Sequence, residues 1–76
     1  MKKVNRGRFA IIMEILTGAY ENNCEIMLCM KSGECTPHSK ILFLKEEEQS
    51  IFLKANNSNN TIWAFIEDIE FIIIEQ

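Results

Sequence analysis

Proline occurs once and glycine three times in 76 residues, and Gly7, Gly18 and Gly33 all stand alone. This excludes a collagen-like or proline-rich segment and leaves no glycine-rich loop to cradle a phosphate. Histidine is scarcer still: His38 is the only one, and no serine, cysteine or carboxylate is spaced to form a relay with it. The chain reads as a non-enzyme without a cofactor. Long apolar runs are also missing. The stretch from Phe9 to Leu16 follows Met1-Lys2-Lys3 in the manner of a signal peptide, but Glu14 interrupts it, no small-residue cleavage site follows, and it is far short of a membrane span.

Cysteine is present in an odd number, Cys24, Cys29 and Cys35, with no framework spacing. That fits a reducing compartment, so the expectation is a cytoplasmic protein with all three thiols reduced. Together with His38 they have the ligand types of a Cys3His zinc site. Their places on the expected hairpin argue otherwise, because Cys24 and Cys29 point to opposite faces and Cys35 lies roughly 20 Å along the hairpin from Cys24. No metal is expected; the cysteines act as small hydrophobes.

What is present is an ordinary globular composition, 47% apolar and 25% charged, in one domain over 1–76. A chain this short buries only about 60% of its unfolded surface, and self-association is the expected supplement. Charge is uneven. Lys2, Lys3, Arg6 and Arg8 are half of the eight basic residues, and the other four stand against all eleven acidic ones, so the tail carries +4 and the body −7. Nucleic-acid binding is therefore assigned to Lys2, Lys3, Arg6 and Arg8 or to a local patch, since the acidic body repels phosphates.

Residues 1–7 read as a basic tail and 8–20 as a helix, whose start lies at about Arg6 or Arg8 with Asn5 as the candidate N-cap. Phe9, Ile12, Leu16 and Ala19 fall at helical spacing, widened by Ile11 and Ile15. Gly18 and the polar Glu21-Asn22-Asn23 end it. From 24 to 75 the pattern turns to strands. A two-residue turn at Ser32-Gly33 pairs Met30 with Cys35 and Glu25 with Lys40, and places Cys24, Ile26, Leu28, Met30, Cys35, Pro37, Ile41 and Phe43 on the core face. Pro37 marks an edge or a bulge. Lys45 to Gln49 forms an exposed loop. A second turn at Ser58-Asn59 pairs Lys54 with Trp63 and Phe52 with Phe65. One face of that hairpin is aliphatic; the other gathers Phe52, Lys54, Trp63 and Phe65, a partner surface with the lysine set for cation–π contact. In the last run, Ile69, Phe71 and Ile73 are expected to face the core, leaving Ile72 and Ile74 for an oligomer interface.

The segment Ser39-Lys40-Ile41-Leu42-Phe43-Leu44-Lys45-Glu46, then Ile62 to Ile66, the Glu67-Asp68 link and Ile69-Glu70-Phe71-Ile72, resembles the Sm-like family of small barrels across nearly the whole chain. The resemblance lies in pattern. The family's glycine near Ser39, aspartate near Lys45 and Arg-Gly pair near Ile66-Glu67 are absent, and the loops that form its inner RNA site are acidic here, so no RNA-site residue carries over. It implies an α+β, mostly β fold: an N-terminal helix followed by a five-stranded, strongly bent antiparallel sheet or small barrel. It also implies a homo-oligomer whose ligand is RNA. Two alternatives stand beside it. One is a winged helix-turn-helix, with helices at Cys24–Lys31 and Thr36–Glu48. The other is an acidic inhibitor or adaptor of phage or plasmid type, which mimics nucleic acid to a basic protein partner. No membrane association is expected.

Overall fold

The computed structural model describes residues 6–75. Helix α1 spans Arg6–Glu21 and buries Ile12, Leu16 and Ala19, with Phe9 and Met13 packed beside them. Ile11 and Ile15, expected to widen the buried stripe, are exposed. The core covers a narrower arc of the helix than the six-residue stripe supposed. Gly18 lies inside the helix, which ends at Glu21, one residue past the expected Tyr20 and within the polar Glu21-Asn22-Asn23 run; Asn23, just beyond it, has a left-handed φ of 56°. The Asn23 N–H then reaches the Tyr20 carbonyl at 3.2 Å and the Cys24 N–H that of Ala19 at 2.9 Å, the paired bonds of a Schellman motif with asparagine in the usual glycine place.

Five strands follow: β1 Glu25–Met30, β2 Ser39–Lys45, β3 Ser50–Ala55, β4 Thr61–Phe65 and β5 Ile69–Glu75. They form one antiparallel sheet in the order β4-β3-β2-β1-β5. The segments a winged helix-turn-helix would need as helices are strand and loop, which removes that alternative. Strands β4 and β5 are opposite edges, yet only a 3-10 turn, Ile66–Asp68, joins them. Four inter-strand spacings across a flat sheet amount to about 19 Å, whereas three 3-10 residues advance about 6 Å. The sheet must therefore curl strongly. It stops short of a closed barrel, because β4 and β5 do not pair.

Inside the curl lie Ile26, Leu28, Ile41, Ile51, Leu53, Ile66 and Ile69, with the apolar stripe of α1 against them. Three bulges decide what stays outside. Ile26 pairs with Ser39, but the Thr36 N–H bonds the Leu28 carbonyl at 2.8 Å, so Pro37-His38 holds an extra residue, at the proline where an irregularity was expected. Leu42 is extra between the Ile41–Leu53 and Phe43–Phe52 pairs. Glu70 is extra between Met30–Ile69 and Cys29–Phe71. Each added residue reverses the inside-outside alternation beyond it. Phe43 thus faces solvent rather than core. On β5, Ile69 faces the core as expected, but Ile72 packs there too while Phe71 and Ile73 point outward, the reverse of the expected assignment for these three.

The first hairpin keeps its Glu25–Lys40 pairing but not its tip. Gly33, at φ 99°, makes the turn three residues long, with Met30 N–H bonding the Glu34 carbonyl. This one-residue shift sets Cys29 opposite Cys35. The two are joined as a disulfide and Cys24 is free, which corrects the expectation of three reduced thiols and removes the compartment argument drawn from an odd count. No helix among the described residues is long and apolar enough to cross a membrane.

Candidate functional site

Strands β2, β3 and β4 contain three lysines and no acidic residue, although acidic residues outnumber basic ones in the chain. Alternation, with the Leu42 bulge, puts Lys40, Phe43 and Lys45 of β2, Phe52 and Lys54 of β3, and Trp63 and Phe65 of β4 on the outer face. The rings form an unbroken chain. Phe43 meets Phe52 edge-on at 6.4 Å between centroids, Phe52 meets Trp63 at 6.4 Å, and Trp63 meets Phe65 at 4.5 Å. Edge-to-face and tilted contacts at these distances are favourable between ring quadrupoles. Phe43, Trp63 and Phe65 nonetheless remain 59%, 49% and 42% exposed. The Lys45 ammonium stands 5.7 Å over the Phe52 ring, a cation–π contact that orients the lysine on the face.

The surface expected from Phe52, Lys54, Trp63 and Phe65 is therefore assembled, with different neighbours. The β3–β4 register is two residues from the expected one: Phe52 lies opposite Trp63, Lys54 opposite Thr61, and Ser50 opposite Phe65. An even shift preserves the face and changes the partners. The Ala55 N–H bonds the Asn60 carbonyl at 3.3 Å, so the turn is a four-residue loop. Lys45 rather than Lys54 supplies the cation, while the Lys54 ammonium donates to the Ser58 carbonyl at 3.4 Å. Phe43, Lys40 and Lys45 were missed as members; the first was hidden by the Leu42 bulge, and the lysines could have been found from the acid-free strands alone.

Lys40 and Lys54 occupy directly opposed positions on β2 and β3. Like charges so placed repel. They flank a cleft that Asn23, Glu25, Leu42 and Asn56 also line.

Of the basic tail, Lys2 and Lys3 lie outside the described residues, as do Asn5 and the side chain of Arg6. Arg8 is committed elsewhere: its guanidinium donates to the Ile69 carbonyl at 2.7 Å and the Glu70 carbonyl at 3.1 Å. These are backbone groups at the β5 bulge, so Arg8 ties the start of α1 to the edge strand. The pair Ile72 and Ile74 divides, Ile72 packing on the core and Ile74 partly exposed on the same side. His38 is exposed within the Pro37-His38 bulge, and its carbonyl accepts the Asn56 N–H at 2.9 Å. Among the described residues no three His, Cys, Asp or Glu side chains converge as a metal site would require.

No protein-family model matches the chain, and neither a curated protein nor a solved structure is similar enough to it to match.

Proposed function

We propose that this chain is a non-enzymatic, Sm-like binding module that self-associates and takes RNA as its ligand. The observation that carries the reading is the curled but open sheet. Its two edges, β4 and β5, are unpaired among the described residues, and both bear exposed apolar side chains: Trp63 and Phe65 on one, Phe71, Ile73 and Ile74 on the other. An unpaired edge invites another strand. Pairing β4 of one copy with β5 of the next satisfies both rows of backbone groups and sets Phe71 and Ile73 beside Trp63 and Phe65 along the seam, shielding their edges while the outward faces of the two rings stay open. Each copy then brings its acid-free outer face to the assembly, which gives the acidic body a local surface that a polyanion can approach.

Sedimentation velocity over a range of concentrations, with and without an unstructured RNA, tests the reading. It expects species heavier than one chain and RNA moving with them. Replacing the exposed Phe71 and Ile74 with lysine yields a smaller species with the strand signal intact. A monomer at high micromolar concentration that carries no RNA overturns the reading. Capture of a basic protein by that monomer supports instead an acidic module working through the exposed Glu46, Glu47, Glu48, Glu67, Asp68 and Glu70.

A further inference from the structure

The outer face of β2-β3-β4 combines two features that have different uses. Three exposed rings in a continuous chain offer flat apolar surface in water. Lys40 and Lys54 stand directly opposed on β2 and β3; Glu25 lies opposite Lys40 on its other side, on β1, and lines the same cleft, but no ion pair within 4 Å ties either lysine to an acidic side chain among the described residues. An anion between the two ammonium groups removes their repulsion. Along β3, Lys54 and Phe52 are two residues apart on the same side, roughly 7 Å, so the charge pair and the ring chain adjoin. Lys45 adds a third cation beside Phe52.

We infer that this face binds single-stranded nucleic acid, a phosphate resting between Lys40 and Lys54 and bases stacking on Trp63, on its neighbour Phe65 and on Phe43 beyond Phe52. The inference rests on the reading of the chain as an RNA-binding module, and it places the ligand on the sheet face rather than on the basic tail or the acidic loops. The chemistry selects the ligand class. Opposed lysines with open donors take a phosphate oxygen or a carboxylate. Rings stacked edge to face leave their exposed sides to a planar partner, and every base has a π-face to offer. A duplex satisfies the lysines but keeps its base faces in the stack. An acidic peptide likewise satisfies the lysines and leaves the rings bare.

Trp63 is the only tryptophan, so its fluorescence reports on the centre of the face. The test is a titration of the full chain with an unstructured oligouridylate, repeated with the deoxy strand, a duplex of equal length and polyglutamate, over a range of salt. Single strands are expected to quench Trp63 and to bind at least tenfold more tightly than duplex or polyglutamate. Lys40→Ala and Lys54→Ala each lower the slope of log affinity against log salt by about 0.7. Phe65→Ala, read by anisotropy of a labelled strand, weakens binding by roughly tenfold without changing that slope. Circular dichroism confirms that each variant keeps the strand signal. If RNA binds but none of these variants changes affinity or slope, the face is not the site, while the RNA-binding reading survives. Equal affinity for polyglutamate overturns stacking as the source of binding. If no nucleic acid binds, the inference and the reading fall together.

Discussion

Replacing Lys54 with glutamate should make the isolated protein more stable while impairing the face it serves. The two lysines are directly opposed on antiparallel strands, where like charges are destabilising and opposite charges stabilising, each by roughly 0.2–1 kcal/mol. Reversing one charge converts the first situation into the second, for a gain of about 0.4–2 kcal/mol. The loss is small: Lys54 gives up a 3.4 Å bond to the Ser58 carbonyl at an exposed position, and Lys and Glu are both poor strand formers. A gain of 1 kcal/mol raises Tm by about 4–8 °C in a domain of this size. Because the screening length is about 10 Å at 0.1 M salt and about 3 Å at 1 M, the gain should shrink as salt rises. Thermal melts by circular dichroism at low and high salt measure both quantities. A Tm that falls, or a rise that ignores salt, would mean that Lys40 and Lys54 do not face each other as the register requires.

Other positions test other parts of the account. Gly18 lies within α1, and a Cβ there meets nothing within 4 Å, so Gly18→Ala should add about 0.5–1 kcal/mol, read as a higher urea midpoint at unchanged m. Ser50 is fully buried and its hydroxyl has no hydrogen-bond partner among the described residues; Ser50→Ala should be neutral or stabilising by about 1 kcal/mol in the same assay, since it removes an unsatisfied polar atom. The Cys29–Cys35 bridge spans six positions in sequence, and loop-closure entropy makes it worth about 2 kcal/mol. Reductant should lower Tm by roughly 10 °C in the wild type and leave the double alanine variant unmoved.

The helix, the number of strands and the aromatic face were legible because each depends on periodicity alone. Ile12, Leu16 and Ala19 announce the buried side of α1 whatever it packs against. Phe52, Trp63 and Phe65 share a face under any even register, so a two-residue error in the β3–β4 pairing cost the partners and not the surface. Bulges behave differently, because one extra residue reverses every assignment after it. Leu42 and Glu70 carry no turn chemistry to betray them, so Phe43, Phe71, Ile72 and Ile73 were all assigned to the wrong side; Pro37, which cannot join a ladder, did betray its bulge. The disulfide was hidden by a single residue. Gly33 in the left-handed region lengthens the turn and brings Cys35 opposite Cys29 instead of Met30. Arg8 looked like a free cation because nothing in a linear chain shows that two bulge carbonyls some sixty residues away will claim it.

Backbone amide shifts recorded by NMR as an unstructured oligouridylate is added test the account's central claim most directly, since they locate contact residue by residue. The account predicts changes concentrated at Lys40, Phe43, Lys45, Phe52, Lys54, Trp63 and Phe65, with the outward side of α1 at Ile11 and Ile15 unaffected. Changes centred on Glu46–Glu48 and Glu67–Glu70 that leave β2, β3 and β4 silent would contradict it.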